Sequence, residues 1–259
     1  MNLPKFDTTQ ELITYLVKNK RELIEMKKAT MKFSDQFGTE DGERSAIKAL
    51  NTHYVDDLST GIIKRTIVGN TYNWMDSHSD VHLDGTFTKS INDRKDKIFH
   101  LHDHEYKITS KVGTPTNIYE KSVNWSDMGI AKAGKTTALM MDSNISKEMN
   151  PLIFGQYLTK EINQHSVGMV YVKIDLAVND SSQKLEYANW NKYFDRIANG
   201  DKAVKQGYFW AVSEAKLIEI SAVLEGSNEL TPTIANEKEA PKAEPRKAAI
   251  DYAYLSNKI

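Results

Sequence analysis

The sequence predicts an α+β protein, on three observations. An amphipathic helical pattern stands near the N-terminal end, short strand-like runs fill the middle from about Ile62 to Leu176, and only two helical patches interrupt the strands before a last strand region ends at Gly226-Ser227-Asn228. At 259 residues the chain suits one large domain with appendages, and a core of that size folds without staples. It contains no cysteine, which excludes disulfides, thiolate metal sites and a cysteine nucleophile. A formal charge of -1, with 27% charged residues, gives no electrostatic case for direct nucleic-acid binding. The start, "MNLPKFDTTQELITYL", has no apolar signal region, and no run approaches the roughly 18–20 apolar residues of a membrane span. The expectation is a soluble intracellular protein with no membrane partner; a homo-oligomer is compatible with the sequence.

Taken in order, residues 8–30 read as one helix. Leu12, Ile13, Leu16, Ile24 and Met26 lie along one side, and Thr8 or Thr9 caps the start. Residues 34–45 are a polar loop. "GIIKRTIVGNTYNWM", "KIFHLH", "KVGTPTNIYEKSVNW", "TTALMM" and "GMVYVKIDLAV" read as strands, with β-branched residues in alternation. "NPLIFGQYLTKEINQ" and "WNKYFDRIANGDKAVKQ" read as helices, and "FWAVSEAKLIEISAVLEGS" returns to strand. Domain organisation follows as a helical extension over 1–50, a main domain over 51–230 and a flexible tail over 231–259, where proline and charge replace apolar residues.

Four stretches carry candidate chemistry. "HLHDH" holds His100, His102 and His104, which share one face if the strand runs through them, so zinc is one reading. Satisfied structural histidines are a second, and a single catalytic imidazole among them is the third. "GIAKAGKT", Gly129 to Thr136, fits the phosphate-loop pattern letter for letter. Its flanks lack the buried strand and the helix that the loop needs, so a turn between strands is expected. "DSHSDVHLDGTFTKSI" reads as a surface turn leading into a small helix, with His78 and His82 as ligands only if they share a helix face.

The fourth, "HSVGM", sets Ser166 at the mouth of a strand. It is not a nucleophile elbow, because Gln164 stands where the first glycine belongs. A serine nucleophile needs a base and a group to orient that base. His102 or His104 offers the base. Glu219 lies inside an apolar strand between Ile218 and Ile220, where a carboxylate is costly unless paired, and an imidazole N–H would pair it.

Together, "IFHLHDH", "SVGM" and "AKLIEISAVLEGSNELTP" resemble the prohead (head maturation) proteases of tailed bacteriophages. "DGTFTKSI" is similar to that family's early segment, in which an aromatic precedes a serine-containing helix. The similarity runs from about Val68 to Pro232. It implies a herpesvirus-assemblin-like fold, a mostly antiparallel β-barrel core with surrounding helices. It also implies a serine endopeptidase that works without a cofactor or metal inside the immature capsid in the host cytoplasm. Its implied substrates are scaffold and major capsid protein precursor segments, and often the enzyme itself. The implied catalytic residues are Ser166, His104 and Glu219. His102 is the fallback base and Glu214 the fallback acid, the latter because a helical insert over about 186–206 separates Ser166 from Glu219. Gly168 is the one nameable candidate beside the oxyanion. Alternatives are a zinc metallohydrolase using His100, His102 and His104, or a non-catalytic capsid-assembly protein.

Overall fold

A computed structural model describes residues 4–32 and 56–234 of the chain. The first expected helix is in fact two, α1 (Thr9–Lys18) and α2 (Lys20–Ala29). Thr8 caps α1, its hydroxyl accepting the Glu11 N–H at 3.2 Å. The break falls at Asn19, whose side-chain amide and backbone N–H both donate to the Tyr15 carbonyl and so close the first helix. The break changes the face α2 presents. Leu23 is buried with Ile13 and Leu16, while Met26 is half exposed. These helices share one apolar core with the strands, together with residues such as Ile67, Phe87, Trp210 and Ile220. The polar loop expected at 34–45 lies outside the described residues, as does the tail beyond 234.

One mixed sheet organises the rest. Its strands are β1 (Ile62–Thr71), β2 (Asp80–His82), β3 (Phe99–His102), β4 (Lys111–Asn124), β5 (Lys135–Ser146), β6 (His165–Val178), β7 (Tyr208–Ala222) and β8 (Thr233–Ile234). The order is β6, β7, then β2 and β3 end to end along one edge of β7, then β4, β5, β1 and β8. β2 and β3 run parallel to β7, and the other pairings are antiparallel. Helices α3 (Thr88–Arg94), α4 (Pro151–Leu158), α5 (Lys184–Tyr193) and α6 (Gly200–Gln206) lie in the connections. Among the described residues no helix is long and apolar enough to cross a membrane.

The α+β class is as expected, but the sheet is open and not a closed barrel. No ladder joins β6 to β1 or β8 among the described residues. Instead, single residues take up the outer edge of β6. Thr231 accepts the His165 N–H and donates to the His165 carbonyl at 2.6 Å, and Lys32 exchanges backbone bonds with Met169. Two residues further on, Thr233 and Ile234 pair with β1. This stretch therefore bridges the two edges without completing a ladder, and Thr231, placed in the expected tail, is fully buried.

The helical insert does not part β6 from β7. Their ladder runs from His165 opposite Ala222 to Val178 opposite Tyr208, and α5 and α6 sit in the connection beyond its far end. Trp190 of α5 packs on Phe209 at 5.3 Å between ring centres. Ser166 and Glu219, 53 positions apart by their numbers, are thus held by neighbouring strands.

The expected surface turn at 76–91 is largely buried. Asp80 is fully buried, and takes Lys27 on one oxygen and Lys32 and the Tyr171 hydroxyl on the other, with Lys27 and Lys32 both at 2.8 Å. Lys32 also reaches Asp76 at 2.5 Å. Burial alone would push the Asp80 carboxyl up, but the two lysines hold it below the usual carboxylate range. This ionic cluster ties the chain after α2 to the sheet. Removing one partner of such a buried pair leaves a charge uncompensated, at a cost of about 3–5 kcal/mol.

Three histidines are structural. His165 donates from Nδ1 to the Thr231 carbonyl at 2.9 Å, and its Nε2 accepts the Tyr157 hydroxyl at 2.9 Å. Tyr157 in turn accepts from His100 Nε2 at 3.1 Å, and His100 Nδ1 meets Ser143 Oγ at 2.9 Å. His82 bonds Asn70 through Nδ1. Burial depresses all three, to about 3 for His100 and about 4 for His82 and His165. The unfolded chain takes up protons below about 6.5, whereas the native state does not until near 4 at His82 and His165 and near 3 at His100. Stability is therefore full above 6.5 and falls as pH drops, by up to about 1.4 kcal/mol per pH unit per histidine. Urea midpoints measured from pH 7 to pH 5 should fall steeply; a flat profile would contradict the neutral, buried assignment.

Candidate active site

Alternation along β7 puts Glu219 and Ser221 on one face and Ile220 and Ala222 on the other. Across the ladder, Ser166 lies opposite Ser221 and Gly168 opposite Glu219, so these four share a face. His165 and Val167 face the other way, into the core. The histidine adjoining Ser166 in sequence is therefore on the wrong side of the sheet to serve it.

β3 brings the imidazole. It runs beside β7 with Phe99 next to Glu219 and Leu101 next to Ser221. Continued as a strand, it would carry His104 to the face of His100 and His102. It does not continue. Asp103 and His104 both adopt left-handed backbone, at φ 52° and 55°, a costly conformation for non-glycine residues. The turn is pinned by the Asp103 N–H on the Ala222 carbonyl at 2.9 Å and the His104 N–H on Ser221 Oγ at 3.2 Å. It swings His104 onto the Glu219 face, where Nδ1 meets Glu219 Oε1 at 2.6 Å. A carboxylate only accepts, so Nδ1 carries the proton and Nε2 is the basic nitrogen.

Glu219 is fully buried and has both oxygens bonded, Oε2 by the Ser221 hydroxyl at 2.6 Å. Gly168 makes this possible. A Cβ on Gly168 would lie 2.0 Å from Glu219 Oε1, so the glycine two residues after the serine clears the path of the carboxylate to His104. Close approach was expected at this glycine, but the group that approaches is the glutamate side chain. The β6–β7 register slips between Gly168 and Met169, leaving Ile218 as an extra residue in β7. On the other edge of β7, between β2 and β3, the Leu217 N–H donates to Ser90 Oγ of α3 at 2.9 Å.

Ser166 is 4% exposed, and among the described residues its hydroxyl makes no hydrogen bond, to His104 or to any other group. His104 reaches Ser166's direct cross-strand neighbour, whose Cα is about 4.5–5.5 Å away in such a ladder. Bonds of this catalytic kind are often long before substrate is bound. The arrangement supplies a hydroxyl, an imidazole in the tautomer that can accept a proton, and a buried carboxylate fixing that tautomer.

Of the expected site residues, Ser166, His104 and Glu219 are brought to one face. The fallbacks are not. His102 points with His100 and bonds Asp103 Oδ2 at 2.8 Å near the surface. Glu214 lies opposite Lys173 and pairs with it at 2.5 Å, well along β7 from Ser166. The zinc reading fails on direction, because His100, His102 and His104 turn to three different partners. Among the described residues no three His, Asp or Glu side chains group as metal ligands. "GIAKAGKT" is a turn between strands. Gly129 is left-handed at φ 78°, β5 begins at Lys135, and no helix follows to face a phosphate. Ser221 and Ser90 went unassigned in the sequence reading. The signal for Ser221 is the E-x-S spacing, which places a hydroxyl on the carboxylate's own face.

In comparisons with known proteins, the chain matches no family model, no curated protein and no solved structure. What fold and site define is a class: an α+β protein in which an imidazole–carboxylate pair stands beside a strand-borne serine.

Proposed function

We propose that the chain is a serine endopeptidase. The observation that carries this reading is the 2.6 Å bond from His104 Nδ1 to the fully buried Glu219, on the sheet face that also bears Ser166. Ser166 Oγ attacks a peptide carbonyl as His104 Nε2 takes its proton. The imidazolium, stabilised by Glu219, then protonates the leaving amine. Water attacks the resulting acyl-enzyme by the same proton path. General acid–base help of this kind is worth on the order of 10²–10⁴ in rate.

The sequence resemblance adds the biological setting: maturation of a phage prohead, with scaffold and capsid-precursor segments as substrates in the immature capsid, and self-cleavage at one or both chain ends. A strained pair of left-handed residues at 103–104 supports the same reading, since backbone strain of this type collects where a side chain must be aimed.

The test is cleavage of an unfolded polypeptide, and of a phage major capsid protein precursor, with and without a fluorophosphonate. Cleavage that the phosphonate abolishes is expected. Cleavage insensitive to phosphonate but lost with a chelator would overturn the serine mechanism.

A further inference from the structure

We infer that Ser221 is a positioning residue of this site, the hinge that fixes both the acid and the base. The inference rests on the peptidase reading for its catalytic consequence, but not for its geometry. Ser221 is fully buried and stands directly across from Ser166. Its hydroxyl donates to Glu219 Oε2 at 2.6 Å, and its oxygen accepts the His104 N–H at 3.2 Å. One side chain thus bonds the carboxylate and the backbone of the residue that the carboxylate orients.

Two physical consequences follow. The first is orientation. A buried carboxylate bonded on one oxygen can still turn about its last torsion; bonded on both, Glu219 presents Oε1 to His104 in one direction. The bond to the His104 N–H holds the left-handed turn that delivers the ring. The second is electrostatic. A hydroxyl donating to Oε2 draws charge from the carboxylate, which moderates how strongly Glu219 favours the imidazolium. The two strands flanking the pair bring uncharged side chains to it. β6 faces the pair with Ser166 and Gly168, neither charged, and β3 with Phe99 and Leu101. On the turn, Asp103 is bonded to His102, and Glu105 to Lys107 and Ser110.

The same geometry separates the two serines. The Ser221 proton is committed to a carboxylate, so its oxygen is not the one His104 Nε2 deprotonates. Ser166 carries no such commitment.

The experiment is an NMR titration of the His104 ring in the full chain, for wild type, S221A and S221T, paired with kcat and KM for peptide cleavage. S221A is expected to move the His104 ring titration to higher pH and to lower kcat about 10- to 100-fold, with KM within about twofold. The acid limb of its rate profile should move to higher pH by the same amount. S221T, which keeps the hydroxyl, is expected to restore both. Should S221A not fold, S221C, a weaker donor, takes its place with a smaller shift of the same sign. An unmoved His104 titration in the variant, whatever the activity, overturns the inference. So does a shift that threonine fails to reverse. If wild type itself cleaves nothing, the peptidase reading falls, while the titration still decides the role of Ser221.

Discussion

Ser166→Ala is expected to abolish cleavage, by on the order of 10⁶ in kcat, while leaving the fold and the urea midpoint close to wild type. Stability should hold because the hydroxyl makes no hydrogen bond among the described residues, so its removal leaves no buried partner unsatisfied. The chemistry should vanish because no neighbouring hydroxyl can substitute. Ser221, directly opposite, spends its proton on Glu219. Intact mass offers a second reading of the same variant. A chain that trims itself should be shorter as wild type than as Ser166→Ala, whereas identical full-length masses would count against self-cleavage. Residual activity at wild-type level would remove Ser166 from the mechanism.

Glu219→Gln carries the second-largest effect, a loss on the order of 10⁴ in kcat with substrate binding little changed. The substitution keeps size and shape but replaces one accepting oxygen with a donating NH₂. Two donors now face that group, His104 Nδ1–H and the Ser221 hydroxyl, and the amide can accept from only one of them. When its NH₂ faces His104, the ring must take the opposite tautomer, with the proton on Nε2, and can no longer act as a base toward Ser166. Glu214→Gln serves as the control. That residue pairs with Lys173 near the surface and should leave kcat unchanged. Equal loss in both variants would mean that Glu219 does not act on the imidazole.

Much of the fold was legible because it rests on local pattern. β-branched alternation marked β1, β4, β5, β6 and β7, and the Thr8 cap marked the first helix. Glu219 was legible for a global reason with a local signature: a carboxylate between isoleucines must find a partner. What escaped was non-local. The break at Asn19 depends on a side chain turning back to Tyr15, which periodicity does not register. β2 is three residues of Asp, Val and His that look like loop; they are strand because β7 pairs with them from 130 positions away by number. Asp76 and Asp80 look like surface residues because their lysines lie about 44 to 53 positions earlier. The face of His104 could not be read from spacing, since two left-handed residues reverse the alternation there. The closed barrel came from resemblance alone, and backbone bonds at His165 and Met169 to single residues replace the ladder it would need.

The account turns on Ser166 being the hydroxyl that His104 activates. The most direct measurement is to react the wild-type chain with a fluorophosphonate and locate the adduct by tandem mass spectrometry of its peptides. A single adduct on Ser166, lost in His104→Ala and in Glu219→Gln, is the predicted result. An adduct on Ser221, or a chain that stays unlabelled while it cleaves polypeptide, would contradict it.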